Sequence, residues 1–368
     1  MKIVHLTSAH SRGDTRIFIK QCCSLAAAGH TVCLVVADGK GPEVLSGVQV
    51  FDVGHLRGRL KRMLMTTGRI FRQAVQLDAD VYHLHDPELI PVGLKLKRSG
   101  KRVIFDAHED VPKQLLGKPY LGPMRLRALA NAFSLYERYA CSKFDGIVAA
   151  TPYIRDKFLL INPHTVDVNN FPLLGEWDAA VPWDSKQSEV CYVGGIATIR
   201  GIKEVIAAMG QLPSAVRLNL AGRFSEPDVE LATKKMPGWQ QVNELGYLDR
   251  LGIREVLGRS VAGLVTLHPV INYLDALPVK MFEYMAAGIP PIASNFPLWR
   301  EIVEGSDCGL CVDPLDPAAI AGAIDYLGTH PAEARRMGEN GRRAVLEKYN
   351  WAIEEVKLFG FYDRVMAC

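Results

Sequence analysis

The feature that most limits what this chain can become is a two-part rhythm that runs, stops and runs again. Short apolar runs at residues 3–6, 31–37, 81–84, 102–105 and 146–149 alternate with longer amphipathic stretches at 16–28, up to Gly100, and at 125–142. Strand-sized runs separated by helix-sized ones predict parallel strands joined by crossover helices. Gly29 closes the first helical stretch, as a residue free to enter the left-handed region can. A non-periodic stretch with Asn and Pro at residues 162–184 then interrupts the pattern. The rhythm resumes with apolar runs at 190–193, 216–221, 241–245, 261–267 and 289–293, a helix from about 200 and another over 278–287, after which helices dominate. The predicted fold class is α/β, with two Rossmann-like doubly wound domains facing a central cleft. The domains are placed at residues 1–170 and 171–348, with a linker near 165–185 and a last helix, 349–368, that returns to the first domain. The length of 368 residues supports two domains, since single cores stop growing at about 250–300 residues.

Composition excludes several classes. Hydrophobic residues at 48% and charged ones at 23% belong to a globular chain, not a disordered or fibrous one. No apolar run approaches the roughly 18 residues of a membrane span, and the opening apolar run is too soon broken by Ser8, His10 and Arg12 for a signal peptide. A cytoplasmic location is expected. Most of the eight cysteines lie in apolar stretches, which suits reduced thiols; Cys308-Gly-Leu-Cys311 has redox or zinc spacing but no second pair. Charge is uneven: residues 1–150 hold 22 Lys and Arg against 13 Asp and Glu, and the remainder 21 against 27. The first half is therefore expected to face an anionic partner. Within it, residues 55–72 interleave Arg57, Arg59, Lys61, Arg62, Arg69 and Arg72 with apolar side chains. That composition suits a helix lying on an anionic membrane, at the inner face of the cytoplasmic membrane; a solvated surface helix is the alternative. No nucleic-acid partner is expected.

Chemistry concentrates in four stretches. The loop Ser8-Ala-His-Ser-Arg-Gly-Asp-Thr15 joins a strand to a helix without the GxGxxG order, and no GxxxxGK[ST] occurs. Gly13 would let backbone amides approach an anion at the helix start, or simply make a surface turn. The loop Tyr192-Val-Gly-Gly-Ile-Ala-Thr-Ile-Arg-Gly201 pairs glycines, Gly195 among them, with Arg200 at a helix start. Backbone amides with a guanidinium suit a diphosphate. Farther on, Glu283 sits in the apolar helix Pro278-Val-Lys-Met-Phe-Glu-Tyr-Met-Ala-Ala-Gly288. A carboxylate there needs hydrogen-bond donors, which a ribose diol supplies; an ion pair with Lys280 is the alternative. His83-x-His85 with Asp86, and His108 with Glu109 and Asp110, have the residue types of metal ligands but not the HExxH order, and alternation on a strand accounts for the first pair.

Read together, these stretches resemble the GT-B glycosyltransferases of family 4. Asp275-x7-Glu283 is similar to their Glu-x7-Glu motif. The segment from Pro278 to Pro290 resembles a bacterial surface-polysaccharide subgroup. Asp14-Thr-Arg-Ile-Phe, His85-Asp-Pro-Glu-Leu, Asp106-Ala-His-Glu-Asp110 and Asn170-Phe-Pro, in this order, extend the resemblance over most of the chain. It implies a retaining transfer of sugar from a nucleotide diphosphate-sugar to a glycan or lipid-linked acceptor, with no cofactor and no metal. It implies that Glu283 holds the ribose, Arg200 the diphosphate, Asp275 the transferred sugar, and His108 that sugar near its reacting carbon. Leu245 and Tyr247 would lie beside the base, with Lys280 adding charge. The chain departs from the pattern at Asp275, one carbon shorter than the usual Glu. It departs again at Gly195, where a basic residue is common, and at Pro278, where a glycine commonly offers its N–H. A sugar-nucleotide epimerase of similar shape and an inactive nucleotide-binding subunit are the rival readings.

Overall fold

The computed structural model describes residues 1–58, 62–117, 122–177 and 182–367. It resolves into two compact units, one of Met1–Asn170 with Ile353–Cys368 and one of Phe171–Ala352. The chain thus leaves the second unit inside its last helix, Trp351–Ala367, and not at residue 348.

The first unit is built on an eight-stranded sheet. Its strands are β1 (Lys2–Leu6), β2 (Thr31–Val36), β3 (Glu43–Leu45), β4 (Val48–Asp52), β5 (Val81–Leu84), β6 (Arg102–Ala107), β7 (Gly146–Ala149) and β8 (Thr165–Asp167), in the spatial order β3-β4-β2-β1-β5-β6-β7-β8. All neighbours are parallel except the β3–β4 hairpin. That hairpin is absent from the apolar rhythm because its strands are half exposed. Its two-residue turn uses Ser46 and Gly47, both with positive φ (47° and 78°), as the favoured hairpin turns require. β8 falls in the stretch expected to be a linker, and pairs with β7 through Ile147–Thr165.

The second unit has six parallel strands: β9 (Glu189–Val193), β10 (Arg217–Ala221), β11 (Val242–Gly246), β12 (Ala262–Val265), β13 (Pro291–Ser294) and β14 (Leu310–Val312), ordered β11-β10-β9-β12-β13-β14. β14 lies where helices were expected to dominate. β1, β2, β5, β9, β12 and β13 are buried along almost their whole length, which is why they read as continuous apolar runs: helices cover both faces of a parallel sheet. In each sheet the strand order reverses once, between β1 and β5 and between β9 and β12. Ligands in open α/β sheets bind outside the carboxyl ends of the strands at such a reversal.

Two expected helices differ. The first begins as a π-helix, Thr15–Cys22, and continues as α-helix over Cys23–Ala27. Residues 55–72 are not one helix: a π-helical turn, Arg62–Thr66, precedes an α-helix, Thr67–Leu77, Gly58 takes φ 97°, and Arg59 and Lys61 lie outside the described residues. No helix among the described residues is long and apolar enough to cross a membrane.

One glycine sets the geometry of the second unit's loop. Gly201, at φ 77°, ends the turn Thr198–Arg200 and caps the helix Ile202–Met209; a Cβ there would strike the carbonyl of Thr266, just beyond β12. Gly201→Ala is expected to cost about 2 kcal/mol or more, from the left-handed backbone and the clash together, measured as a lower urea midpoint with an unchanged m-value.

Candidate active site

In the second unit the site grows from the loop after β9. Val193 ends the strand, and its N–H donates to the buried Tyr284 hydroxyl at 3.0 Å. This fixes the helix Val279–Ala286, which carries Tyr284, against the strand end. Gly194 and Gly195 follow, and their lack of side chains is used. A Cβ on Gly194 would lie 3.4 Å from Lys280 Nζ, and one on Gly195 would lie 3.3 Å from Arg200 Nη1. The Gly195 carbonyl accepts the Tyr192 hydroxyl at 3.0 Å and Arg200 Nη1 at 3.4 Å. Two cations thus flank a bare stretch of backbone.

Lys280 is the unusual member. Its Nζ lies 4.0 Å from the centre of the Tyr192 ring, and it is a buried ammonium with no hydrogen-bond acceptor among the described residues. Burial first, and the neighbouring Arg200 second, pull its pKa down to about 7. A buried donor without an acceptor is costly, and an anion would relieve it.

Glu283 is not stranded, as its apolar helix had suggested, nor does the structure show it hydrogen-bonded to Lys280. Its Oε1 stands 3.5 Å from Arg250 Nη2; Arg250 also pairs with Glu176 and lies 5.1 Å from the Trp177 ring centre. Arg250 and Glu176 were missed because they stand 33 and 107 positions away from Glu283 in an unremarkable helix and loop. Asp275 is half buried in the turn before Pro278, a turn held by Trp299 Nε1 donating to the Ala276 carbonyl at 2.7 Å. Pro278 precedes that helix as its N-cap residue and is not its first turn. Leu245 lies in β11. Tyr247, beyond it, is 72% exposed with Arg223 5.0 Å from its ring centre. Arg200 and Lys280 are therefore gathered at the Gly194–Gly195 backbone.

In the first unit the carboxyl ends of β1, β5 and β6 assemble histidines. The parallel register sets His5 beside His83. His5 Nδ1 lies 2.8 Å from His85 Nε2, and the Tyr362 hydroxyl, from the last helix, lies 2.7 Å from His83 Nδ1 and 3.5 Å from His5 Nε2. Burial, more than any charge, pulls His5, His83 and His85 down, His85 to about 3. At the centre is Asp106, fully buried. Its carboxylate accepts Arg16 Nε and Nη2 at 3.1 and 2.6 Å and Gln21 Nε2 at 2.7 Å. Burial acts to raise its pKa, but Arg16 and His108 outweigh it and hold Asp106 well below the usual carboxylate range.

His108 approaches Asp106 Oδ2 at 3.3 Å through Nε2 and is one-fifth exposed. Beside it, with ring centres 5.2 Å apart, is His10, a residue of the first loop with no local motif to mark it. His10 Nδ1 lies 3.1 Å from the buried Asp86; burial opposes its protonation, but the bond to Asp86 prevails and raises its pKa. Gly13, by contrast, offers no free helix start. The Asp14 side chain already accepts the N–H groups of Arg16 and Ile17 at 2.9 Å each. Among the described residues, two groups bring three metal-capable side chains within 4.8 Å: His5, His83 and His85, and His85, Asp106 and His108. In the first group His83–His85 and His5–His85 stack at 22° and 14°, and His5–His83 are tilted at 34°. The seven described cysteines are unpaired, Cys308 and Cys311 included.

Residues 15–168 match glycosyltransferase family 4, and residues 175–344 match glycosyl transferases group 1; together they take in most of the chain. A mannosyltransferase of Mycolicibacterium hassiacum, MMP alpha-(1->4)-mannosyltransferase, is 31% identical over 39% of this chain and 37% of its own, so the chain spans little more than a third of that relative. The alpha-maltose-1-phosphate synthase of Mycolicibacterium smegmatis is 24% identical over 67% of this chain and 71% of its own. Among solved structures, sucrose-phosphate synthase from Thermosynechococcus elongatus superposes with a TM-score of 0.78 at 21% identity, covering 100% and 99% of the two chains. Anabaena HepE in complex with UDP-glucose gives 0.75 at 13% identity, covering 99% of each. Two family domains in sequence and two parallel-sheet Rossmann-like units in space lead to one assignment: the chain belongs to the GT-B glycosyltransferases.

Proposed function

We propose that the protein transfers a hexosyl group, with retention, from a nucleotide diphosphate-sugar held by its second unit. The observation that carries this reading is the buried Lys280 ammonium, without an acceptor, beside Arg200 and the Gly194–Gly195 backbone. Two cations on a bare backbone stretch provide the neutralisation that a leaving diphosphate needs, so the reading includes no metal cofactor. HepE, a structural neighbour, was solved with UDP-glucose bound, which supports a nucleotide-sugar as the donor. In this reading Glu283 accepts the ribose hydroxyls, with Arg250 behind it, and Leu245 and Tyr247 flank the base. Asp275 and His108 contact the transferred sugar. The acceptor is a glycan or lipid-linked glycan of bacterial surface polysaccharide, met at the inner face of the cytoplasmic membrane.

Arg200→Ala should weaken nucleoside diphosphates far more than bare nucleosides. A hydrogen bond between charged groups is worth roughly 1.5–3 kcal/mol, so calorimetry should show about a tenfold or greater loss for the diphosphate alone. Equal losses would assign Arg200 to the fold. Donor turnover without any acceptor would instead favour an epimerase.

Lys280 gives the binding a pH dependence of known sign. In the free protein its pKa lies at about 7, and a bound diphosphate raises it. Above pH 7, binding must therefore take up a proton, and affinity should fall as pH rises, by up to about tenfold per unit. Calorimetry of UDP from pH 6 to 9, in buffers of different ionisation enthalpy, measures that proton. Lys280→Met should abolish its uptake.

Membrane contact is assigned to residues 55–72, where Met63, Leu64 and Met65 are exposed at 41%, 76% and 52%. Arg62 is engaged with Glu88 at 2.8 Å, and Arg69 donates to the Val53 carbonyl at 3.1 Å, so the test takes the other four cations of the segment, Arg57, Arg59, Lys61 and Arg72. Co-sedimentation with anionic vesicles should fade between 0.1 and 1 M salt, as the Debye length shrinks from about 10 to about 3 Å. A variant with those four residues changed to Gln should sediment less at low salt. Equal behaviour of both proteins would make the segment an ordinary solvated surface.

A further inference from the structure

We propose that His85, Asp106 and His108 form a binding site for a divalent transition-metal ion of the Zn2+ class, one that acts on the enzyme as a brake and not as a cofactor. The three ligand atoms are His85 Nδ1, His108 Nε2 and Asp106 Oδ2. His85 Nδ1 is 3.4 Å from His108 Nε2 and 3.3 Å from Asp106 Oδ2, and His108 Nε2 is 3.3 Å from Asp106 Oδ2. They form a nearly equilateral triangle. A tetrahedral ion with bonds of about 2.0–2.1 Å spaces its ligand atoms by about 3.3–3.4 Å, so the triangle has the size of one tetrahedral face.

The hydrogen bonds behind the triangle supply a second argument. Protons must be placed along the chain from His85 through His5 and Tyr362 to His83. If His85 carries its proton on Nδ1, toward Asp106, then His5 donates to His85, Tyr362 to His5, and His83 to Tyr362. His83 Nε2 is then a lone pair, fully buried, with no donor, 4.0 Å from the carboxylate. If every proton is moved to the other side, His83 Nε2 presents an N–H toward Asp106. The lone pair of His85 Nδ1 then faces the carboxylate oxygen at 3.3 Å. His83 Nε2 is without a partner in either arrangement, and in the second the His85 Nδ1 lone pair has only the 3.4 Å contact with His108 Nε2 to turn to. A cation held by His85, His108 and Asp106 takes up that lone pair directly, while His85 Nε2 keeps His5 as its partner. The surroundings match those of metal ligands in general: a ligating imidazole whose other nitrogen is hydrogen-bonded, and a ligating carboxylate fixed by Arg16 and Gln21.

Two imidazoles and one carboxylate favour Zn2+ and its neighbours over Mg2+ or Ca2+. Three protein ligands leave the fourth position open, and the partial exposure of His108 gives a way in. Occupation would take His108 away from the sugar; this consequence, unlike the binding itself, rests on the role proposed for His108.

Titration calorimetry of the whole chain with ZnCl2, without donor or acceptor, tests the site directly. The expected result is one high-affinity ion per chain, with Mg2+ giving none, and an upward thermal shift reversed by a chelator. His108→Ala, at a partly exposed position, should lose about tenfold or more in Zn2+ affinity. His10→Ala, which removes a nearby imidazole outside the triangle, should retain it. Absence of a one-to-one Zn2+ site, or binding by His108→Ala equal to wild type, would overturn the proposal. Should His108→Ala prove unstable, ring 15N shifts of the wild-type histidines on adding Zn2+ decide the matter: two must move together as ligands, and none moving overturns it. Calorimetry with UDP alone addresses the second unit, so failure of the ion site and failure of the transferase reading are separable.

Discussion

The first unit depends on one buried ion pair. Arg16 brings both Nε and Nη2 to the Asp106 carboxylate, and with Nη1 it donates to the Val168 carbonyl at 2.6 Å. A single guanidinium thereby joins the first helix, the end of β6 and the chain just after β8. Neither charge reaches appreciable solvent, at 5% and 0% side-chain exposure. A buried pair contributes less net stability than its contacts suggest, but losing one partner is severe because the other charge is left unpaired. What the pair provides is position. With Asp106 fixed, His85 and His108 are fixed in turn. The wide turn of the π-helix Thr15–Cys22, capped by Asp14, places Arg16 and Gln21, five positions apart, at the same carboxylate.

The second unit solves the equivalent problem with backbone rather than charge. Gly201 meets the Thr266 carbonyl, Gly222 meets that of Gly194, and Gly263 meets the Tyr284 ring. These close approaches draw the carboxyl ends of β9, β10 and β12 together around the Gly194–Gly195 loop. Lys280 and Arg200 then crowd against that loop. Two cations held against bare backbone in a partly dry place are suited to an anion. The first unit gathers histidines around a buried carboxylate at its strand ends and the second gathers Lys280 and Arg200, although both use the same sheet architecture and the same reversal of strand order.

Much of the fold was legible in the sequence, because parallel strands covered on both faces must be apolar throughout and so announce themselves as runs. The strands that escaped, β3, β4, β8 and β14, are short or half exposed and carry no such signal. In the site, Arg200 and Lys280 were legible from a glycine loop and an apolar helix. Arg250, Glu176, His5 and His10 were not. Each acts through a partner remote in sequence, and nothing in their local context distinguishes them from ordinary surface or core residues. Gly13 shows the opposite error. Its loop has the form of an anion site, but Asp14, the next residue, occupies the free amides first.

The alternation of strands and helices, the interruption that yields two units, and the residue types at the strand ends are set along the chain, since they follow from local periodicity and from which side chains tolerate burial. Which charges neutralise one another is set by folding alone. Pairing requires atoms within a few ångströms, and the register of β1 against β5, the order of the strands and the return of the last helix bring His5, His83 and Tyr362 together from positions up to 357 residues apart. The same sheet order makes Glu283 a neighbour of Arg250 and leaves Lys280 without an acceptor. Local composition fixes what each residue can do, whereas the field it experiences is a sum over groups that the chain gathers only by folding.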